Sequence, residues 1–164
     1  RNLNGLIDSL NQIAELYNYP IIVSAHPRTR NMINDKEIKT HKNIHILKPL
    51  GFSDYNCLQM NSFAVLSDSG TINEESSILN FRALNLRDAH ERPEAMEEAS
   101  VMMVGMNTDR IIQGLIELSR QEITENRNFR EVSDYSMPNV SLKLVRIIIS
   151  YVDYVNQNIY KKFN

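Results

Sequence analysis

Three short stretches hold the residues of this sequence that could do chemistry. The first is "SDSGTINEE", residues 67–75. Ser69, Gly70 and Thr71 follow the apolar run Phe63-Ala64-Val65-Leu66 and precede a segment with Ile72, Ser76 and Leu79 on one helical face. A strand, a tight Ser-Gly turn and a helix start offer backbone N–H groups to an anion, because a helix N-terminus has unpaired donors and a favourable dipole. Gly70 would let a diphosphate approach the backbone closely. Glu75, as a carboxylate, suits the two adjacent hydroxyls of a ribose, accepting from both. The same residues have a purely structural use: Thr71 and Glu74 are spaced as a T-x-x-E capping box.

The second stretch is "SAHPRTRN", which puts His26, Arg28 and Arg30 directly after a strand. Guanidinium groups carry permanent charge and forked donors, so this grouping suits phosphate. A solvated basic loop is the plainer use. The third is "RDAHERPEAMEEA", in which Arg87 and Arg92 flank His90 and Glu91, with Pro93 fitting the first turn of a helix. Exposed charge pairs of this kind contribute little to stability, and the density of ionisable groups after a strand favours a function. "GFSDY", residues 51–55, adds aromatic rings after another strand. Tyr55 could pack in the core or stack on a base. His26, His41, His45 and His90 show no metal-ligand spacing, and no metal or cofactor is expected; His45, inside a strand, reads as structural.

These stretches need a frame that aims them. Leu3, Leu6, Ile7, Leu10, Ile13, Ala14 and Tyr17 recur at helical spacing. Strands are expected at "PIIVSA" (20–25), "NIHILKP" (43–49), "FAVLS" (63–67), "ALNL" (83–86) and "SVMMVG" (100–105). "HPRTRN" reads as a loop, and "SDYNCLQMN" as a short helix. "NTDRIIQGLIELSRQ" reads as an amphipathic helix capped by Thr108 or Asp109, with Ile111, Ile112, Leu115, Ile116 and Leu118 inward. Short continuous apolar strands alternating with helices predict an α/β fold with an open, doubly wound parallel sheet, covered on both faces. Ligands of such sheets bind at the carboxyl ends of the strands. The domain is expected over 1–120, a polar connector over 121–137, and a helical tail over 138–164, whose apolar face (Leu142, Leu144, Val145, Ile148, Ile149, Val152, Val155) would pack on the domain or on something beyond the chain.

The bulk numbers fit one domain with a core: 164 residues, 42% hydrophobic and 23% charged. With 18 basic and 20 acidic side chains, the net charge of -2 argues against a nucleic-acid scaffold. No window reaches the length of a membrane span, and no signal peptide is visible at the start. One cysteine, Cys57, reads as a small buried hydrophobe and fits a reducing, cytoplasmic setting. The sequence opens without Met and inside a helical pattern, as a piece of a longer protein would.

Taken together, "SDSGTINEESSILNFRALNLRDAHERPEAMEEAS" resembles the C-terminal half of the UDP-N-acetylglucosamine 2-epimerase family, with its S/T-D-S-G-G/T-I-x-E-E and R-x-x-x-E-R-P-E patterns. "HPRTR" is similar to the family's histidine-arginine loop and "KPLGFSDY" to its uracil loop; the likeness runs from about residue 20 to 120. It implies a Rossmann-like, nucleotide-binding half of a glycosyltransferase-B-type fold, a UDP-sugar substrate, an N-terminal domain outside this chain, and a homodimer. By resemblance, Ser69 and Gly70 contact the diphosphate with Thr71 at the variable third place, Glu75 the ribose, Arg92 the diphosphate, and Tyr55 the uracil. His26 would be the catalytic residue near diphosphate and sugar. Arg28, Leu50 and Arg87 would line the substrate, Leu50 by backbone where relatives carry Gln.

The implied reaction inverts C2 of a UDP-2-acetamido sugar by eliminating and re-adding UDP, for capsule or lipopolysaccharide precursors. The Thr71 form resembles the branch acting on 2,6-dideoxy-L-hexose nucleotides. A glycosyltransferase of the same fold and a non-catalytic UDP-sugar-binding module remain as alternatives. "RDAHERPE" favours the epimerase over the transferase.

Overall fold

The computed structural model describes residues 3–35, 38–89, 91–122 and 127–162. Its elements run α1 (Leu3–Tyr17), β1 (Ile21–Ser24), α2 (Pro27–Asp35), β2 (Ile44–Leu47), α3 (Phe52–Asn61), β3 (Val65–Ser67), α4 (Ile72–Leu79), β4 (Ala83–Asn85), α5 (Pro93–Glu97), β5 (Met102–Met103), α6 (Thr108–Ser119) and α7 (Val140–Asn158). All strand pairs are parallel, as short apolar strands separated by helices require. The strands form two hydrogen-bonded sheets, β1-β2 and β3-β4-β5.

Helix α1 serves both sheets. Ile7, Leu10 and Ala14 pack with Ile33 and Ile44, while Ile13 packs with Leu84, Leu86, Ile111, Leu115 and Leu118. Ile21 of β1 touches both groups, so the two sheets share a continuous apolar layer. On the second sheet α6 comes close enough that a Cβ on Gly114 would lie 2.9 Å from Leu84 Cδ2 and 3.2 Å from Val104 Cγ1.

The register fixes which loops share an edge of the sheet. Val65 pairs with Ala83 and Ser67 with Asn85. Beyond that ladder the Leu86 amide donates to the Ser67 carbonyl at 2.9 Å, and the Val104 amide to the Asn85 carbonyl at 2.9 Å. The segments after β3 and β4, carrying Gly70 and Arg87, therefore leave the sheet side by side at its carboxyl edge.

Several expectations need correction. "HPRTRN" is not a loop: Pro27 opens α2, a helix that buries only Ile33, too faint a pattern for periodicity to show. Helix α6 is capped by Asn107, whose side chain accepts from the Arg110 amide, in place of Thr108 or Asp109. Ile116 points outward, and Cys57 is exposed; His45 lies within β2 as expected, with its side chain exposed.

The chain divides into two compact units, Arg1–Val132 and Ser133–Asn164. The second contains α7, which starts at Val140 and has no buried residue; Leu142, Leu144, Val145, Ile148, Ile149 and Val152 are all exposed. Among the described residues, no helix is long and apolar enough to cross a membrane.

Candidate nucleotide cradle

The turn after β3 is held by its own hydroxyls. The Ser69 amide donates to Ser67 Oγ at 3.1 Å, the Thr71 amide to Ser69 Oγ at 3.3 Å, and the Ser69 and Thr71 hydroxyls lie 2.9 Å apart. The sequence suggests three amides open to an anion. Two of them are engaged within the turn, and among the described residues only the Gly70 amide of the three has no partner. The capping box does not form. Thr71 already has helical backbone angles, φ -70° and ψ -12°, and makes no side-chain cap; an N-cap needs extended backbone to turn its oxygen onto the helix. Its hydroxyl faces Ser69, and Glu74 goes elsewhere.

Glu74 accepts from Arg92 Nε. Arg92 also lies 3.8 Å from Glu91 through its terminal nitrogen. Glu91 pairs with Arg87, whose Nε donates to the Asp68 carbonyl at 2.6 Å and whose amide donates to Asn85 Oδ1 at 3.0 Å. Glu91 and Arg92 close over the glycine, and Arg87 is tied to them through Glu91. A Cβ on Gly70 would sit 2.7 Å from Glu91 Oε2 and 3.3 Å from the Arg92 terminal nitrogen. The absence of a side chain at Gly70 is what admits them. His90 lies outside the described residues.

A second cluster adjoins the first through α4, where Glu75 follows Glu74. Gln59, on α3, donates through Nε2 to Glu75 Oε2 at 2.7 Å. Tyr55, one helical turn before Gln59, is half-buried; burial, reinforced by the nearby Glu75 carboxylate, pushes its phenol above the ordinary tyrosine value. Leu50 is partly buried just ahead of α3, next to Gly51 at the helix cap.

His26 and Arg28 belong to a third place. His26 caps α2, its carbonyl accepting from the amides of Thr29 and Arg30 and its Nδ1 from the Arg28 amide at 3.3 Å. Both side chains are exposed at the carboxyl end of β1. Among the described residues no hydrogen bond or ion pair joins them to the Gly70 turn. The structure thus brings together Ser69, Gly70, Thr71, Arg87 and Arg92, and separately Tyr55 and Glu75. Two contributors were not singled out as ligand contacts from the sequence. Glu91 was visible only as part of a charged loop. Gln59 was legible as a polar residue four after Tyr55, on the same helical face.

The family model for UDP-N-acetylglucosamine 2-epimerase matches residues 1–149. A UDP-N-acetylglucosamine 2-epimerase of Methanocaldococcus jannaschii is 30% identical over 150 residues, which cover 89% of this chain and 39% of that protein. The structure of UDP-N-acetylglucosamine 2-epimerase from Rickettsia bellii matches with a TM-score of 0.88 and 43% identity, over 98% of this chain and 44% of that one. The M. jannaschii enzyme in complex with UDP-GlcNAc and UDP matches with a TM-score of 0.76 and 29% identity, over 90% of this chain and 40% of that one. The chain therefore spans about two fifths of the length of these relatives. Its α/β architecture with parallel strands is that of the matching part of these glycosyltransferase-B-like structures.

Proposed function

The chain belongs to the UDP-N-acetylglucosamine 2-epimerase family, and we propose that it forms the nucleotide-binding half of an enzyme that inverts C2 of a UDP-2-acetamido sugar. The observation that carries this reading is the approach of Glu91 and Arg92 to the bare face of Gly70, with Arg87 joined to them through Glu91. Two guanidiniums and a glycine amide at a helix start make a local field suited to a diphosphate. On this reading Ser69, Gly70, Thr71, Arg87 and Arg92 hold the diphosphate, Glu75 the ribose hydroxyls, and Tyr55 with the Leu50 backbone the uracil. His26 and Arg28, at the carboxyl end of β1, serve the sugar end of the ligand.

The C2 hydrogen of such a sugar is not acidic enough for simple removal and return. Breaking the C1–O bond expels UDP and, with loss of the C2 proton, leaves a glycal; protonation from the other face and re-addition of UDP give the epimer. What this chain contributes is stabilisation of the leaving diphosphate, by positive potential fixed where negative charge develops. The proton transfers at C2 call for carboxylates, which we assign to residues beyond this chain. Thr71 in the turn supports the branch acting on 2-acetamido-2,6-dideoxy-L-hexose nucleotides, in surface-polysaccharide precursor synthesis; the single cysteine suits a cytoplasmic setting, and the family resemblance suggests a homodimer.

Calorimetric titration with UDP tests the site. Saturable binding is expected, weakened about tenfold or more by Arg92→Ala and by Glu75→Ala, since each removes a hydrogen bond to or from a charged group. Undiminished binding in both variants would overturn the assignment. Incorporation of solvent deuterium at C2 by the whole protein then separates an epimerase from a transferase or a binding module.

A further inference from the structure

Gln59 is the only buried residue of α3, at 3% exposure, in a position where a helix facing its neighbour would ordinarily carry Leu or Met. Its backbone is fixed, because the Ser62 amide and hydroxyl both donate to the Gln59 carbonyl. Its side chain is fixed too: Nε2 donates to Glu75 Oε2 at 2.7 Å, which settles the orientation of the amide, since a carboxylate only accepts. The other end of the amide, Oε1, is buried with no hydrogen-bond partner. Folding alone gives no reason to bury an amide with an orphaned acceptor, for an apolar side chain of the same shape would avoid the penalty.

The gain lies at Glu75. A neutral amide orients a carboxylate without cancelling its charge, as Lys or Arg in that position would. Glu75 keeps its remaining lone pairs, on Oε1 and on the far side of Oε2, for two further donors. From this geometry, and resting on the reading of Glu75 as the ribose ligand, we propose that Gln59 is a positioning residue. It holds the Glu75 carboxylate in the pose that accepts from two adjacent hydroxyls, and so sets a preference for ribonucleotides over 2′-deoxyribonucleotides. A site built around hydroxyl donors rejects the analogue that lacks one, because its acceptor is then left unpaired.

The test is calorimetry on the intact protein with three probes: UDP, 2′-deoxy-UDP and inorganic pyrophosphate. Wild type is expected to favour UDP over 2′-deoxy-UDP by about tenfold or more. In Gln59→Met, which keeps the shape and removes the donor, UDP binding should fall about tenfold while 2′-deoxy-UDP and pyrophosphate hold. The preference then collapses towards one. Gln59→Asn keeps an amide but shortens its reach, and should collapse the preference in the same way even if Met at this position impairs folding. A preference retained in both variants overturns the proposal, and so does a parallel loss of all three ligands, which would mark a packing role alone. Wild type that binds UDP without favouring it over the deoxy form sinks the ribose reading of Glu75 and this proposal with it. Wild type that binds none of the three sinks the cradle itself.

Discussion

Glu91 occupies the space over Gly70 that the diphosphate is proposed to take, and it does so while bridging Arg87 and Arg92. An entering diphosphate must displace that carboxylate. Neither arginine depends on it for placement: Arg87 also donates to the Asp68 carbonyl, and Arg92 to Glu74. Glu91→Gln should therefore leave both guanidiniums aimed and remove a competing negative charge. The Glu91 side chain is 53% exposed, so solvent screens it and the gain is modest, about 0.5–1 kcal/mol. Titration with UDP should show a several-fold lower Kd, and an unchanged or higher Kd would rule out competition by Glu91. At this scale the sequence was most legible in the motifs whose spacing gathers Gly70, Arg87 and Arg92 at one sheet edge. It misled where a nearer partner intervened. Thr71 finds Ser69 before it can cap α4, and Glu74 finds Arg92 from across the sheet edge. Gln59 meets Glu75 over sixteen residues of separation, a contact that local pattern cannot carry.

Elements place these residues by close packing and by straps. Gly114 lets α6 lie against β4, with Leu84 Cδ2 only 2.9 Å from where a Cβ would be. Leu84 is wholly buried, so it has little room to give. Gly114→Ala should destabilise the first unit by about 1–3 kcal/mol through overpacking, despite the better helix propensity of Ala; thermal melting would show this as a lowered Tm. Residues after α6 act as a strap on α4: Arg127 donates to the carbonyls of Ser77 and Ile78, and the Val132 amide to Ser77 Oγ at 2.9 Å. The same strap reaches the residue after α5, where Arg130 pairs with Glu98. The hydrogen bond from Arg130 holds the Glu98 carboxyl below the usual glutamate value, outweighing the opposing effect of desolvation, with the Arg130 charge adding to it. A depressed carboxylate contributes stability above its unfolded pKa and loses it as the pH falls through the folded one. Glu98→Gln should thus melt slightly below wild type near neutrality and converge with it in acid; curves parallel at every pH would exclude the pair from stability. Buried helix faces were readable from apolar recurrence in α1 and, Ile116 excepted, in α6. They were unreadable in α2, where Ile33 alone is buried.

At the scale of the whole molecule, the disposition of carboxylates decides what this chain can do unaided. Inverting C2 needs a group that removes a proton from one face and a group that returns one to the other. Three glutamates stand at the cradle, and each is already committed: Glu74 to Arg92, Glu91 to Arg87 and Arg92, Glu75 to Gln59. Releasing Glu74 or Glu75 would loosen Arg92 or Gln59; Glu91 alone can leave its partners, since Arg87 and Arg92 have other anchors. On the reading proposed above, this chain, which spans about two fifths of its relatives, supplies the binding, and proton transfer falls to residues beyond it. The expected behaviour of the 164-residue chain follows. It should bind UDP and a UDP-2-acetamido sugar with similar affinity, because most of the grip is on the nucleotide. Incubated with the UDP-sugar in deuterium oxide, it should leave the C2 proton signal intact by nuclear magnetic resonance. Exchange at C2 by this chain alone would mean that His26 or one of the three glutamates takes up the proton, and His26→Ala and Glu91→Gln, Glu91 being the most exposed of the three, would be the first variants to separate them.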